Sequence, residues 1–161
     1  MTNLHRIAGE AVAAAVGRGV TVATAESLTA GMVAAVLADT PGASAMLQGG
    51  VVSYSNTVKR DVLGVSQDLL DAVGSVDEAV AAAMADGARR VCGADLAVST
   101  TGVAGPDAHD GKAVGTVFVG VATAQGVQAF SYSFQGTRAE IRGLACGAAL
   151  ERLQEALAAL S

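Results

Sequence analysis

Apolar residues at Leu4, Ile7, Ala8, Ala11, Val12 and Ala15 recur at helical spacing and predict a helix over 3–16, stopped by Gly17-Arg18-Gly19. Residues 20–25 then read as a short buried strand. Met32, Val33, Val36 and Leu37 mark a second helix that ends before Pro41-Gly42. A strand over 46–54, interrupted by Gly49-Gly50, precedes the short helix "SNTVKRDVLGV", which Gly64 terminates, and another short helix over 67–73. Ser75-Val-Asp-Glu78 has the form of a capping box, in which each side chain satisfies an otherwise orphaned amide; it opens an alanine-rich helix to about residue 91. Three strands follow at 95–101, 114–123 and 127–134, the last two joined as a hairpin at Gln125-Gly126. Thr137-Arg-Ala-Glu140 is a second capping box, starting a helix with Ile141, Leu144, Ala145, Ala148, Leu153, Leu157 and Leu160 inward. The alternation predicts an α/β fold with a mixed sheet in one domain over 1–161, with 102–113 as the only extended irregular segment.

Composition narrows the class. Apolar residues make up 52% of the chain and aromatics only 3%, so the core is built from small aliphatics that suit helices packed closely on a sheet. Ten basic against fifteen acidic residues give a net charge of -5 without basic clusters, which argues against nucleic acid or an anionic membrane as partner. Every long apolar stretch is cut well before the ~18 residues of a membrane span. Cys92 and Cys146 lack CxxC spacing, and no leader-like stretch stands at Met1; buried thiols, no metal site and a cytoplasmic location are the expectations.

Four segments could carry chemistry. In "TVATAESLTAG", Ser27 stands where a buried strand hands over to a helix, the usual place of a ligand crevice in open α/β sheets. Ser27 or Thr29 could equally be a helix cap, and a serine engaged as a cap is a poorer nucleophile. In "GGVVSYSNTVK", Lys59 is one of only two lysines and follows Tyr54 and Asn56. With His5 in a terminal helix and His109 in a loop, lysine is the remaining base for a serine, provided burial lowers its pKa; a solvated surface lysine is the competing reading. "STTGVAGPDAHDGK" can bring backbone close to a ligand at Thr101 and Gly102 or be a plain glycine-rich turn, and Asp107, His109 and Asp110 read as an exposed loop rather than metal ligands. Arg138 and Arg142, four apart near a helix start, oppose the helix dipole and ask for an anion, a phosphate or a surface acid.

Taken together and in order, "AESLTAG", "GGVVSYSNTVK", "TTGVAGPDAHDGKAVGTVFV" and "GTRAEIR" resemble the CinA C-terminal domain family, the nicotinamide-nucleotide amidases also called NMN deamidases. The resemblance runs from about Val20 to the C-terminus. It implies a three-layer α/β/α sandwich that oligomerises with copies of itself, and hydrolysis of nicotinamide mononucleotide to nicotinate mononucleotide and ammonia without cofactor or metal. Carried over by position, Ser27 is the nucleophile, Lys59 its base and Tyr54 a further catalytic residue near the ring or the leaving nitrogen. Thr29, Gly31, Asn56, Thr101, Gly102 and Arg138 border the nucleotide, and Arg142 meets its phosphate. Where the family motif has Cys after the serine and Gly-Gly after the threonine, this chain has Leu28 and Ala30. The family's separate N-terminal domain, which resembles molybdopterin-binding domains, has no counterpart here, so a stand-alone form is expected. The alternatives are a pyridine-nucleotide-binding or regulatory module without turnover, and an oligomerising scaffold linked to DNA uptake or repair.

Overall fold

Two strands of this chain are buried along nearly their whole length, which requires cover on both faces of the sheet. The computed structural model describes residues 2–160, so the expected domain over 1–161 runs one residue past them at each end. Among the described residues six α-helices, α1 (Thr2–Arg18), α2 (Met32–Ala38), α3 (Asn56–Asp61), α4 (Gln67–Val73), α5 (Glu78–Cys92) and α6 (Arg138–Ala159), accompany five strands. The strands β1 (Val22–Glu26), β2 (Leu47–Val52), β3 (Leu96–Gly102), β4 (Thr116–Thr123) and β5 (Gly126–Ser133) form one mixed sheet in the order β2-β1-β3-β4-β5. The first three are parallel, β4 runs antiparallel to β3, and β5 runs antiparallel to β4.

The faces of the sheet differ in side-chain size, and this sets the spacing of the layers. Val22, Leu96, Val98, Val119 and Val121 meet Ile7, Val12, Leu37, Leu150, Leu153 and Leu157 from α1, α2 and α6. Ala23, Ala25 and Ala97 face Val80, Met84 and Ala88 of α5 and Leu70 of α4. Small residues let α5 sit close: Ser99 Oγ donates to the Ala81 carbonyl and accepts from the Gly120 amide at 3.1 Å. The result is a three-layer α/β/α sandwich.

Several local expectations shift. The first helix passes through Gly17 to Arg18, and β2 passes through Gly49-Gly50, its irregularity lying instead near Gln48, where the pairing jumps from Val22–Leu47 to Ala23–Gly49. Ser75 does not cap α5; Asp77 does, accepting from the Ala79 amide, because the Ser75 hydroxyl is taken by Asp110. Thr137 caps α6 as expected, accepting from the Glu140 amide at 3.2 Å. Leu144 is 46% exposed rather than inward, on the shoulder of a groove between α1, α6 and β5, and Cys92 is only partly buried. No helix among the described residues is long and apolar enough to cross a membrane.

Gly87 of α5 illustrates the close packing, since a Cβ there would strike the Leu63 carbonyl. Helix propensity alone would favour alanine by ~1 kcal/mol. The collision outweighs it: Gly87→Ala is expected to lower unfolding stability by ~1–2 kcal/mol in denaturant titration.

Candidate active site

β1, β2 and β3 are parallel, so their carboxyl ends emerge at one edge; α2 leaves β1 on one face, and the β2-to-β3 connection returns over the other through α5. Such a point opens a crevice between strand ends. Ser27 immediately follows β1, Ser53 and Tyr54 follow β2, and β3 ends in Thr101-Gly102. Helix α3, capped by Ser55 through the Val58 amide, turns Lys59 back beneath the β2 end, where the side chain is 1% exposed. Its Nζ lies 3.0 Å from Ser27 Oγ, 2.8 Å from the Ser53 carbonyl and 3.3 Å from the Tyr54 carbonyl. A charged ammonium donates to all three. A neutral amine has two N–H groups and one lone pair, so with both carbonyls accepting, the lone pair faces the Ser27 hydroxyl. Burial lowers the Lys59 pKa from 10.5 to about 8, opposed by the charge of Asp110. At pH 7 about a tenth of such lysines are neutral, against fewer than ~1 in 1,000 in free solution.

The Ser27 hydroxyl is free for this role because another group holds α2. The Glu26 carboxylate, 1% exposed, accepts from the amides of Val33 at 2.7 Å and Ala34 at 3.1 Å. Gly31, at φ 97°, occupies the cap position without a side-chain bond. Thr29 is not the cap either; its hydroxyl pairs with that of buried Thr100 at 2.7 Å. Between them the chain makes a tight turn with Ala30 at φ 49°, a left-handed alanine that costs ~1 kcal/mol or more. Arg142 braces the turn from α6: Nε donates to the Leu28 carbonyl at 2.8 Å and a terminal nitrogen to the Thr29 carbonyl at 3.2 Å.

A cleft of about 380 Å³ opens over Ser27, walled by Leu28, Tyr54, Thr101 and the 102–109 segment. That segment is irregular as expected except at its tip, where His109 and Lys112 exchange both backbone hydrogen bonds about a two-residue turn with Asp110 at φ 51° and Gly111 at φ 72°. Asp110 plugs into the neighbouring layer, accepting from the amide and hydroxyl of Ser75, each at 2.9 Å. The Ser75 amide holds its carboxyl below the usual range. The Ser75 carbonyl in turn accepts from Thr101 Oγ1 at 2.7 Å, tying the wall to the end of β3. Across the mouth, Arg138 donates to the Gly105 carbonyl and to Tyr54 Oη.

Residues 4–157 match the family model of the CinA C-terminal domain. The chain belongs to the CinA C-terminal domain family. A CinA-like protein of Geotalea uraniireducens is 46% identical over 143 residues, 88% of this chain and 34% of its own length. The chain spans about a third of the length of the curated relatives it matches. A CinA superfamily protein of Klebsiella pneumoniae superposes with a TM-score of 0.94 at 32% identity, covering 98% of this chain and 99% of the other. The competence/damage-inducible protein CihA of Agrobacterium tumefaciens gives 0.92 at 35% identity, covering 97% and 96%.

In this CinA domain the structure gathers Ser27, Lys59, Tyr54, Thr101, Gly102 and Arg138 at or under the cleft. Thr29 and Gly31 lie behind it in the turn, Asn56 is exposed at the start of α3, and Arg142 is not in the cleft wall. Tyr54 contributes its carbonyl to Lys59 and its ring to the mouth. Sequence reasoning missed the work of Glu26, Ser53, Ser75 and Asp110. For Glu26 the signal was a carboxylate beside the serine, but a cap reaching seven residues forward has no capping-box spacing.

Two stability outcomes follow. Replacing Glu26 by alanine is expected to lose ~2–4 kcal/mol in thermal or denaturant unfolding, and Glu26→Gln, which keeps one acceptor, less. The unfolded chain keeps the Lys59 proton to pH 10.5, whereas the folded chain releases it near 8. The wild type therefore gains stability relative to Lys59→Met as pH rises between those values, by up to ~3 kcal/mol, and gains none below pH 8.

Proposed function

We propose that this protein is an amidohydrolase that converts nicotinamide mononucleotide to nicotinate mononucleotide and ammonia through a Ser27–Lys59 dyad. The observation that carries the proposal is the buried 3.0 Å contact between Lys59 Nζ and Ser27 Oγ, with the lysine oriented by two carbonyls. Neutral Lys59 takes the hydroxyl proton as Ser27 Oγ bonds to the carboxamide carbon, leaving a tetrahedral oxyanion. On collapse the C–N bond breaks and Lys59 returns the proton to the departing nitrogen, releasing ammonia. Water then attacks the acyl-enzyme, Lys59 takes its proton, and the C–Oγ bond breaks with that proton returned to Ser27. The sum is one amide plus one water giving one acid and one ammonia.

The remote phosphate positions the amide within attacking distance. Arg138 is the cation that lines the cleft, fixed at its mouth by Gly105 and Tyr54, and is the residue suited to meet that phosphate. Arg142, spent on two carbonyls, is not.

Ammonia release from nicotinamide mononucleotide by purified protein is the direct test. Ser27→Ala and Lys59→Met are each expected to lower kcat at least ~100-fold. Binding of the nucleotide without ammonia release would instead make the chain a binding module. The rate should climb with pH through about 8, as the neutral amine is the working form, and level off above it. Asp110→Asn removes the charge that favours protonated Lys59, so the rising limb is expected to move to lower pH.

A further inference from the structure

We infer that Arg142 is a positioning residue that shapes an oxyanion hole: by holding the Leu28 carbonyl it aims the N–H of the same peptide, that of Thr29, beside the Leu28 N–H at the oxygen that becomes negative when Ser27 attacks. The inference rests on the proposed amide hydrolysis for its substrate, while its geometry belongs to any acyl transfer at Ser27.

Helix α2 cannot supply this hole. Its Met32 amide donates to the Thr29 carbonyl, those of Val33 and Ala34 to Glu26, and that of Ala35 to the Gly31 carbonyl. In the turn before it, the Ser27 amide donates to the Thr100 carbonyl and the Ala30 amide to the Ser27 carbonyl. The amides of Leu28, Thr29 and Gly31 have no acceptor among the described residues, and the first two of these directly follow Ser27. Donors enclosed by protein normally find partners, so two successive vacancies beside a candidate nucleophile stand out. The Leu28 side chain, 4% exposed, is part of the cleft wall.

A trans peptide points its carbonyl and N–H in opposite directions. The 2.8 Å bond from Arg142 Nε to the Leu28 carbonyl therefore fixes the Thr29 N–H on the side away from α6. The 3.2 Å bond to the Thr29 carbonyl fixes the next peptide as well, so one planar guanidinium locks two successive units. Such a lock is needed, since Ala30 and Gly31 hold left-handed conformations that a freer chain would leave. Arg142 is itself set firmly: its neighbours Ile141 and Ala145 pack with Leu28 and Val117 in a small core beneath the turn.

The test compares wild type, Arg142→Gln and Arg142→Lys on nicotinamide mononucleotide and on nicotinamide riboside, which lacks the phosphate, and on acylation of Ser27 by p-nitrophenyl acetate. The expected result for Arg142→Gln is a kcat loss of ~100-fold on both amides with KM nearly unchanged, and acylation slowed by a similar factor. Lysine, which lacks the planar fork, should recover little. A loss confined to KM for the phosphorylated substrate and absent with the riboside would overturn the inference and return Arg142 to the phosphate. If wild type releases no ammonia but is acylated, the amidase reading fails alone where Arg142→Gln slows acylation, and both fail where it does not. A wild type inert to all three probes also overturns both. Should Arg142→Gln not fold, as judged by circular dichroism, Arg142→Lys keeps the packed stem and carries the same comparison.

Discussion

A lysine amine sealed among two carbonyls and a hydroxyl constrains the rest of this molecule. An ammonium taken out of water without partners would be prohibitively costly, so the site must offer three acceptors to the charged form. It does so with main-chain carbonyls rather than carboxylates, and this choice matters. A carboxylate in contact would hold the proton on the lysine; carbonyl dipoles stabilise the charge less and leave the amine able to let it go near neutrality. Among the described residues the acid that acts on Lys59, Asp110, does so without a direct hydrogen bond, spending its carboxylate on Ser75.

The turn from Ser27 to Gly31 shows how a reactive side chain is kept out of structural service. Serine beside a helix start readily becomes its cap. Here a buried carboxylate one residue earlier takes the helix amides, and an arginine from the last helix takes the turn's carbonyls. The hydroxyl between them has, among the described residues, only the lysine for a partner. Glu26 and Arg142 thus divide the backbone polar groups of one short segment, donors to one side and acceptors to the other.

The order of elements was legible because each carries its own period: alternating or continuous small apolar runs for the strands, and three-and-four spacing for the helices. Thr137 was legible as a cap because its partner, the Glu140 amide, is local in sequence. Ser75 misled for the opposite reason, since the group that claims its hydroxyl, Asp110, lies 35 residues away. The same limit hid Glu26 and gave Arg142 an anion to find when it had two carbonyls 113 and 114 residues distant. Setting aside His5 and His109 left lysine as the candidate base for a serine, but the choice was made only through the resemblance; the local sequences of Ser27 and Lys59 permitted a cap and a solvated lysine.

The offset in β1–β2 pairing near Gln48 makes the sheet a ruler. Beyond it Ala23 to Glu26 lie across from Gly49 to Val52, so Ser27 and Ser53 come level at the strand ends. Had the pairing of Val22 with Leu47 continued without the extra residue, the β2 end would be displaced by one residue, ~3.3 Å, and its side chains turned to the opposite faces. A hydrogen bond between hydroxyl and amine tolerates only a fraction of that. The alignment of two reacting atoms is thus stored at the opposite end of the sheet, four to five residues away, where a single inserted or deleted residue would misplace the chemistry while leaving every functional side chain intact.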